Sequence, residues 1–409
     1  MEYWLYEDNH WKNFLPLVYF RPIWQLWIGA STLVEKWQTE LPIAGYWTRR
    51  YLHEILFEKA FPSKKLVKKE DILFINARVW PPELNKADLE QLKPGEVLTH
   101  NEDVIAFRGG SNFQNVLEDG VIHNERILEQ ATQTISCNAR VFQYIWDFID
   151  VIGEAIHYDL QGRSGIHETA KLHSTVTLIH ESGITIGANT HIGANVVLDA
   201  SDGPIGIGDG VKIMHNSVIQ GPAYIGAGST IKIGAKIYEN TSLGPVCKIG
   251  GEVEGSVVQG YSNKQHEGFL GHAILGSWVN LGADTNNSDL KNNYGEITVF
   301  LNGTPVNTEK RFLGLIMGDH SKTGINTMFN TGTIVGVNCN IFGAEMPPKF
   351  VPSFSWGGST AGFQDYLLEK AIEVARIVMH RRKVQFTDKT RKLFEAVYQL
   401  SKVVEKRSI

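Results

Sequence analysis

A chain of 409 residues has room for two or three domains and a large core. Its 43% hydrophobic and 20% charged residues, with 40 glycines that follow no G-X-Y period, exclude a disordered or collagenous chain. A net charge of -5 gives no basic field for a polynucleotide, so no nucleic-acid partner is expected. Three widely spaced cysteines, Cys137, Cys247 and Cys339, point to a reducing, cytoplasmic setting, and nothing reads as a membrane span or a secretory leader.

In chain order, "YWLYE", "DILFINARVW" and "DVIAFRGG" read as strands, with "GASTLVEKW" and "NKADLEQL" as helices between them. This predicts a mixed α/β domain over residues 1–135. A helical linker is expected over 136–163, from "SCNARVFQYIWDFIDVIGEAIH".

An internal repeat follows. Ile207, Ile213, Ile219, Ile225, Ile231 and Ile237 recur every six residues, and Val211, Ser217, Ala223, Ser229 and Ala235 hold the fifth place of each hexad. A period of six fits neither a helix nor a long alternating strand, so each hexad reads as a short strand plus a corner. Three hexads close one triangular coil, and stacked coils bury a column of aliphatic side chains. The expected parallel β-helix spans 164–358. It carries an inserted loop at 286–312, where "EITVFLNG" alternates before a turn, and helices follow over 359–409 with Thr387 as a cap. The repeat resembles that of hexapeptide-repeat proteins, which implies a left-handed coil.

Among 14 histidines, His266 and His272 stand out, one hexad apart before "ILGSWVNLGA". Counting back by sixes from Leu281 and Leu275 puts Phe269 and position 263 in the inward column and both histidines outside. The string "HEGFLGHAILGSWVNLGAD", His266 to Asp284, resembles the acetyltransferase centre of the bacterial bifunctional N-acetylglucosamine-1-phosphate uridyltransferase/glucosamine-1-phosphate acetyltransferase family. His266, Leu270, Gly271, Ala273, Leu275, Gly276, Val279, Asn280, Leu281, Gly282 and Ala283 match without a gap. His272 replaces an aspartate, and Asp284 a glycine.

The resemblance implies an acetyl-coenzyme A dependent N-acetyltransferase that acts on an amino-sugar phosphate, glucosamine-1-phosphate, toward UDP-N-acetylglucosamine. His266 would be the general base, because a thioester carbonyl needs the free amine. Glu254 would orient it, with Glu252 as the alternative, since two residues fewer separate Glu254 from His266 than in the family. Asn280 and Phe269 match sugar contacts, and Tyr238 stands where the family has a phosphate-binding arginine. Lys248 and Lys264 are the candidate replacements for that charge, and Asn287 lies in the matched ligand loop. Ala283 and Asp319 would adjoin acetyl-coenzyme A, and a homotrimer is implied.

"FLPLVYFRPIWQLWIGASTLVEKW" resembles, more weakly, a stretch of sugar nucleotidyltransferases. Arg21, Asn76 and Arg78 are the candidate nucleotide contacts there, beside structural roles for each. Asn76 stands where a magnesium-bearing aspartate would be expected, so Mg2+ enters only if this domain is active. A fully bifunctional enzyme and a non-catalytic sugar-nucleotide-binding scaffold remain the alternatives. No metal site is expected from the spacing of His215, His266, His272 and His320.

Overall fold

The computed structural model describes residues 1–57, 62–118 and 120–405. The chain forms two compact units. The first holds Met1–Phe14, Phe20–Leu26 and Thr32–Ile145; the second takes in Leu15–Tyr19, Trp27–Ser31 and the chain from Trp146 on.

The first unit is built on a six-stranded mixed sheet, in the order Gln133–Ser136, Glu96–His100, Asp103–Arg108, Ile72–Asn76, Glu2–Tyr6, Ile43–Trp47. Glu2–Tyr6 runs parallel to both its neighbours, and Asp103–Arg108 antiparallel to both of its own. Every residue of Ile72–Asn76 is buried, as a strand covered on both faces requires. Phe74 stacks on Phe107 with ring centroids 4.7 Å apart. The predicted helix in "GASTLVEKW" is Leu33–Glu40, started by a capping box between Thr32 and Glu35. This unit extends past position 135. Gln133–Ser136 is an edge strand, and the backbone runs on with Cys137 N–H donating to Thr99 O and Phe142 N–H to Arg78 O. These bonds hold the stretch extended, so the helix expected from about 136 begins only at Phe148 and ends at Leu160.

The second unit contains the left-handed parallel β-helix. Ten strands stack on its first face, from Gly165–Ile166 to Phe350–Val351. Six stack on the second, from Lys171–Leu172 to Asn263–Lys264, and six on the third, from Thr177–Ile179 to Phe269–Gly271. The repeat dictates this. Ile213, Ile231 and Ile249 share one inward column, and Ile219, Ile237 and Val253 another, all buried. Each such side chain contributes about 1.5–3 kcal/mol by leaving water. The small fifth position closes the corner: Ser229 Oγ donates to Gly244 O and accepts from Cys247 N–H of the next coil. Asn216 and Asn326 take the left-handed backbone that these corners demand.

Three short steps break the count of six. The inward residue after Ile249 is Val253, the one after Val253 is Val258, and the one after Leu270 is Leu275. Counting back from Leu275 therefore lands one residue early. Leu270, not Phe269, points inward, and Lys264, not position 263, occupies the second-face column beside Ile249.

The inserted segment holds an antiparallel hairpin, Thr298–Leu301 with Thr304–Asn307. Helices Leu368–Arg381 and Asp388–Val404 follow the last coils, the second capped by Thr387 Oγ1, which accepts from Thr390 N–H. No helix among the described residues is long and apolar enough to cross a membrane.

Candidate active site

His266 lies at the corner between the second and third faces, exposed, and its ring makes no hydrogen bond among the described residues. Corners stack in a row here. Asp284 N–H donates to Glu267 O of the preceding coil, and Asn326 N–H to Ala283 O. The row continues into a groove of about 550 Å3 lined by Asp284, Asn286, Ile325, Asn326, Met328 and Phe342. Ile325 is 69% exposed and Met328 41%, so the groove floor is apolar and open. Ala283 thus sits between the imidazole and this groove.

On the third face the strand Glu252–Glu254 runs parallel to Phe269–Gly271, with Glu252 opposite Phe269 and Glu254 opposite Gly271. Glu252 therefore stands at the His266 edge, and its N–H donates to Gly268 O. Glu254 stands at the far edge, where His272 N–H donates to its carbonyl. The structure brings Glu254 together with His272 rather than with His266. Tyr238, half-buried nearby, has its phenol pushed up first by the Glu252 carboxylate, then by burial and by Glu254. Phe269 is half-buried on the outside of this face, and its N–H donates to Asn286 Oδ1 at 2.8 Å.

Other sequence candidates are placed elsewhere. Lys264 is 2% exposed inside the shaft, where Nζ donates to the carbonyls of Gly250 and His266 at 3.0 Å each. Burial lowers its pKa to about 8. A sugar phosphate has no path to it. Asn287 is also turned inward, opposite Phe329, and its amide pairs with Gly271: Oδ1 accepts from Gly271 N–H at 3.1 Å and Nδ2 donates to Gly271 O at 2.9 Å. It replaces a missing rung of the backbone ladder and leaves no amide for a sugar hydroxyl. Asn280 lies on the second face, where its Oδ1 accepts from Asn263 Nδ2 at 3.2 Å, and Arg382 Nη2 donates to Asn263 Oδ1. Lys248, on the same face, has its pKa lowered by burial and by Arg382, Lys232 and Arg381. Asp319 is buried at a different corner, where its Oδ1 accepts from Ser277 N–H at 2.9 Å.

In the first unit Asn76 and Arg78 are fully buried around Asp8. Asp8 Oδ2 accepts from Arg78 Nη2 at 2.7 Å, Arg78 Nε at 2.9 Å, Asn76 Nδ2 at 2.9 Å and Asn124 Nδ2 at 2.6 Å. Arg78 also donates to Asp103 Oδ1 and to Phe142 O. The carbonyl of Arg21 accepts from Arg49 Nη2. The carboxylate nearest Asn76 is thus surrounded by four donors, an arrangement that does not fit Mg2+, which needs free oxygen lone pairs. Among the described residues no group of three or more His, Cys, Asp or Glu is arranged to hold a metal ion.

The sequence reading missed the groove at Ile325, Met328 and Phe342, and a pair in which His272 Nδ1 lies 2.8 Å from Asp289 Oδ2. Ile325 carried a signal, being an apolar residue two places beyond the inward Thr323.

Residues 3–165 match a family model described as "Sugar nucleotidyl transferase". The "Bifunctional protein GlmU" of Synechococcus elongatus is 29% identical over 198 residues, covering 43% of this chain and 40% of that protein. A "Bifunctional sugar-1-phosphate nucleotidylyltransferase/acetyltransferase" of Sulfurisphaera tokodaii is 32% identical over 261 residues, or 58% and 63% of the two chains. The chain thus spans less than two thirds of the length of either relative. A crystal structure of UDP-N-acetylglucosamine acyltransferase aligns with a TM-score of 0.28 at 17% identity, covering 58% of this chain and 83% of its own. The resemblance found at His266–Asp284 and in the N-terminal sequence is accordingly one to sugar nucleotidyl transferases and to bifunctional nucleotidyltransferase/acetyltransferases.

Proposed function

We propose that the second unit is an acetyl-coenzyme A dependent N-acyltransferase acting on an amino-sugar phosphate, with His266 as general base. One observation carries the reading: an exposed imidazole heads a corner row that opens, one coil on, into an apolar groove. Ala283, Ile325, Met328 and Phe342 would hold the pantetheine arm, which supplies the thioester. The acceptor would lie over the third face beside Phe269 and Tyr238. Its ammonium gives a proton to His266, and the free amine attacks the carbonyl. The tetrahedral oxyanion takes a hydrogen bond from a backbone N–H of the rigid coil, and the thiolate leaves with a proton. Glu252, at the same edge of the face, would orient the ring. The homotrimer implied by the resemblance and the cytoplasmic setting expected from the three cysteines belong to this reading. Glucosamine-1-phosphate is the first acceptor to test.

The supporting experiment is thiol release from acetyl-coenzyme A over a panel of amino-sugar phosphates. Release with an amino sugar and none with its hydroxyl analogue supports N-acylation; no release with any acceptor removes the reading. Nucleotidyl transfer by the first unit is not included, because Asp8, Asn76 and Arg78 bind one another.

A further inference from the structure

The corners between the second and third faces share a hydrogen-bond pattern, and the corner that carries His266 departs from it. A full corner has four residues, as at 214–217, 232–235 and 324–327. The carbonyl of its second residue accepts from the next coil: Asn216 N–H donates to Ala194 O, Gly234 N–H to His215 O and Asn326 N–H to Ala283 O. The carbonyl of its first residue is taken by the fourth. Ser217 Oγ donates to Met214 O, Thr285 Oγ1 to Gly282 O and Thr327 Oγ1 to Gly324 O.

One coil before His266 the corner is cut to Gly250 and Gly251, between Lys248–Ile249 and Glu252–Glu254. Gly250 therefore has no fourth residue to pair its carbonyl. One coil after His266, Asp284 N–H donates to Glu267 O, a residue beyond the usual acceptor. The two carbonyls left over, those of Gly250 and His266, both accept from Lys264 Nζ at 3.0 Å. The paired glycines make room for it: a Cβ on Gly251 would stand 2.7 Å from Nζ and 2.8 Å from His266 O.

The aliphatic column alone does not call for a lysine here. Ile231 and Ile249 fill the same column, and an isoleucine would not carry the cost of desolvating an ammonium. Burial lowers the Lys264 pKa to about 8 against the pull of Glu267, Asp284 and Glu252, with Lys236 adding to the fall. At neutral pH the nitrogen is therefore mainly an ammonium, with three donors for the two carbonyls. The His266 ring makes no hydrogen bond among the described residues, so the corner backbone sets where the imidazole stands.

We infer that Lys264 is the positioning residue of His266: it replaces the bonds lost with the shortened corner, pins the His266 carbonyl and so holds the imidazole in one place. It touches neither acceptor nor thioester and acts through the backbone. The inference rests on the acyl-transfer reading.

Thiol release and thermal melting of Lys264→Met and Lys264→Ile at pH 7 test it. The kcat should fall about 10–100-fold with both KM values within about 2-fold, because a base displaced by ~1 Å loses rate and not substrate affinity. The thermal midpoint should hold or rise, since an apolar side chain then completes an apolar column. NMR relaxation of the 13Cε1-labelled His266 ring, assigned by its absence from His266→Ala, should show its order parameter falling below ~0.6 in both variants. An unchanged kcat or an unchanged ring order parameter overturns the inference. A midpoint lowered in both variants makes the lysine a support of the fold alone and overturns it as well. The two failures are read apart: absence of thiol release from the unaltered protein removes the acyl-transfer reading, and the ring order then decides by itself whether Lys264 fixes His266.

Discussion

Arg78 in the first unit and Lys264 in the second are both cations sealed from water, and their surroundings solve the problem in opposite ways. Arg78 is buried against Asp8 and Asp103, and both partners keep their charge. Burial alone would raise the Asp8 pKa, but Arg78 and His10 hold it well below the usual carboxylate range. Lys264 has only the carbonyls of Gly250 and His266, and burial moves its pKa down to about 8. The ionic cluster of the first unit is satisfied from within, with Asp8 Oδ2 bonded by Arg78, Asn76 and Asn124. The lysine of the solenoid fills a place in an aliphatic column. In both units the sealed charge is structural, and the groups open to chemistry are those on the outside of the coils.

The comparison can be broken first at Asp8. Asp8→Ala leaves Arg78 buried beside Asp103 alone and should cost about 3–5 kcal/mol, read as the denaturant midpoint of the first unit's transition. A loss under 1 kcal/mol would mean that the ion pair is not the first unit's anchor. The sign with pH follows from the depressed Asp8 pKa: its stabilisation is present above the unfolded value of ~3.9 and is lost as pH falls toward the folded one.

Lys264 sharpens the contrast because its sign is the reverse. The folded pKa of about 8 lies below the unfolded value of ~10.4, so between these values the unfolded chain binds more protons and stability rises with pH. Lys322, half-buried on the second face and also lowered to about 8 by burial, behaves alike. Lys264→Met, matching the column of Ile249 and Ile231, should remove its share of the rise, on the order of 3 kcal/mol. Denaturant melts of both proteins at pH 7.5 and pH 10 read this difference; parallel profiles would show that Lys264 stays charged in the fold. The smallest effect is expected at Thr387. Thr387→Ala removes the cap of Asp388–Val404 and should cost about 1 kcal/mol, visible as a lowered thermal midpoint.

Much of this was legible in the sequence because the hexad repeat is a direct image of the coil. Ile207 to Ile237 fall in register without exception, and the capping role of Thr387 is written beside its helix. The register failed where steps of four and five residues replace six, at Ile249–Val253, Val253–Val258 and Leu270–Leu275, and it failed by one residue, enough to exchange Phe269 with Leu270. Such shortened corners leave no compositional mark. Asn287 was misread for a related reason: its amide fills a missing rung, a role set by the loop that interrupts the ladder. The His272–Asp289 contact joins residues 17 apart across that same interruption, where no period predicts who meets whom.

The central claim is that His266 removes the proton from the acceptor amine, and thiol release by His266→Ala under saturating acetyl-coenzyme A and amino-sugar phosphate tests it most directly. A fall of about 10²–10⁴-fold, with the thermal midpoint unchanged, is the predicted result. Turnover equal to that of the unaltered protein would contradict it.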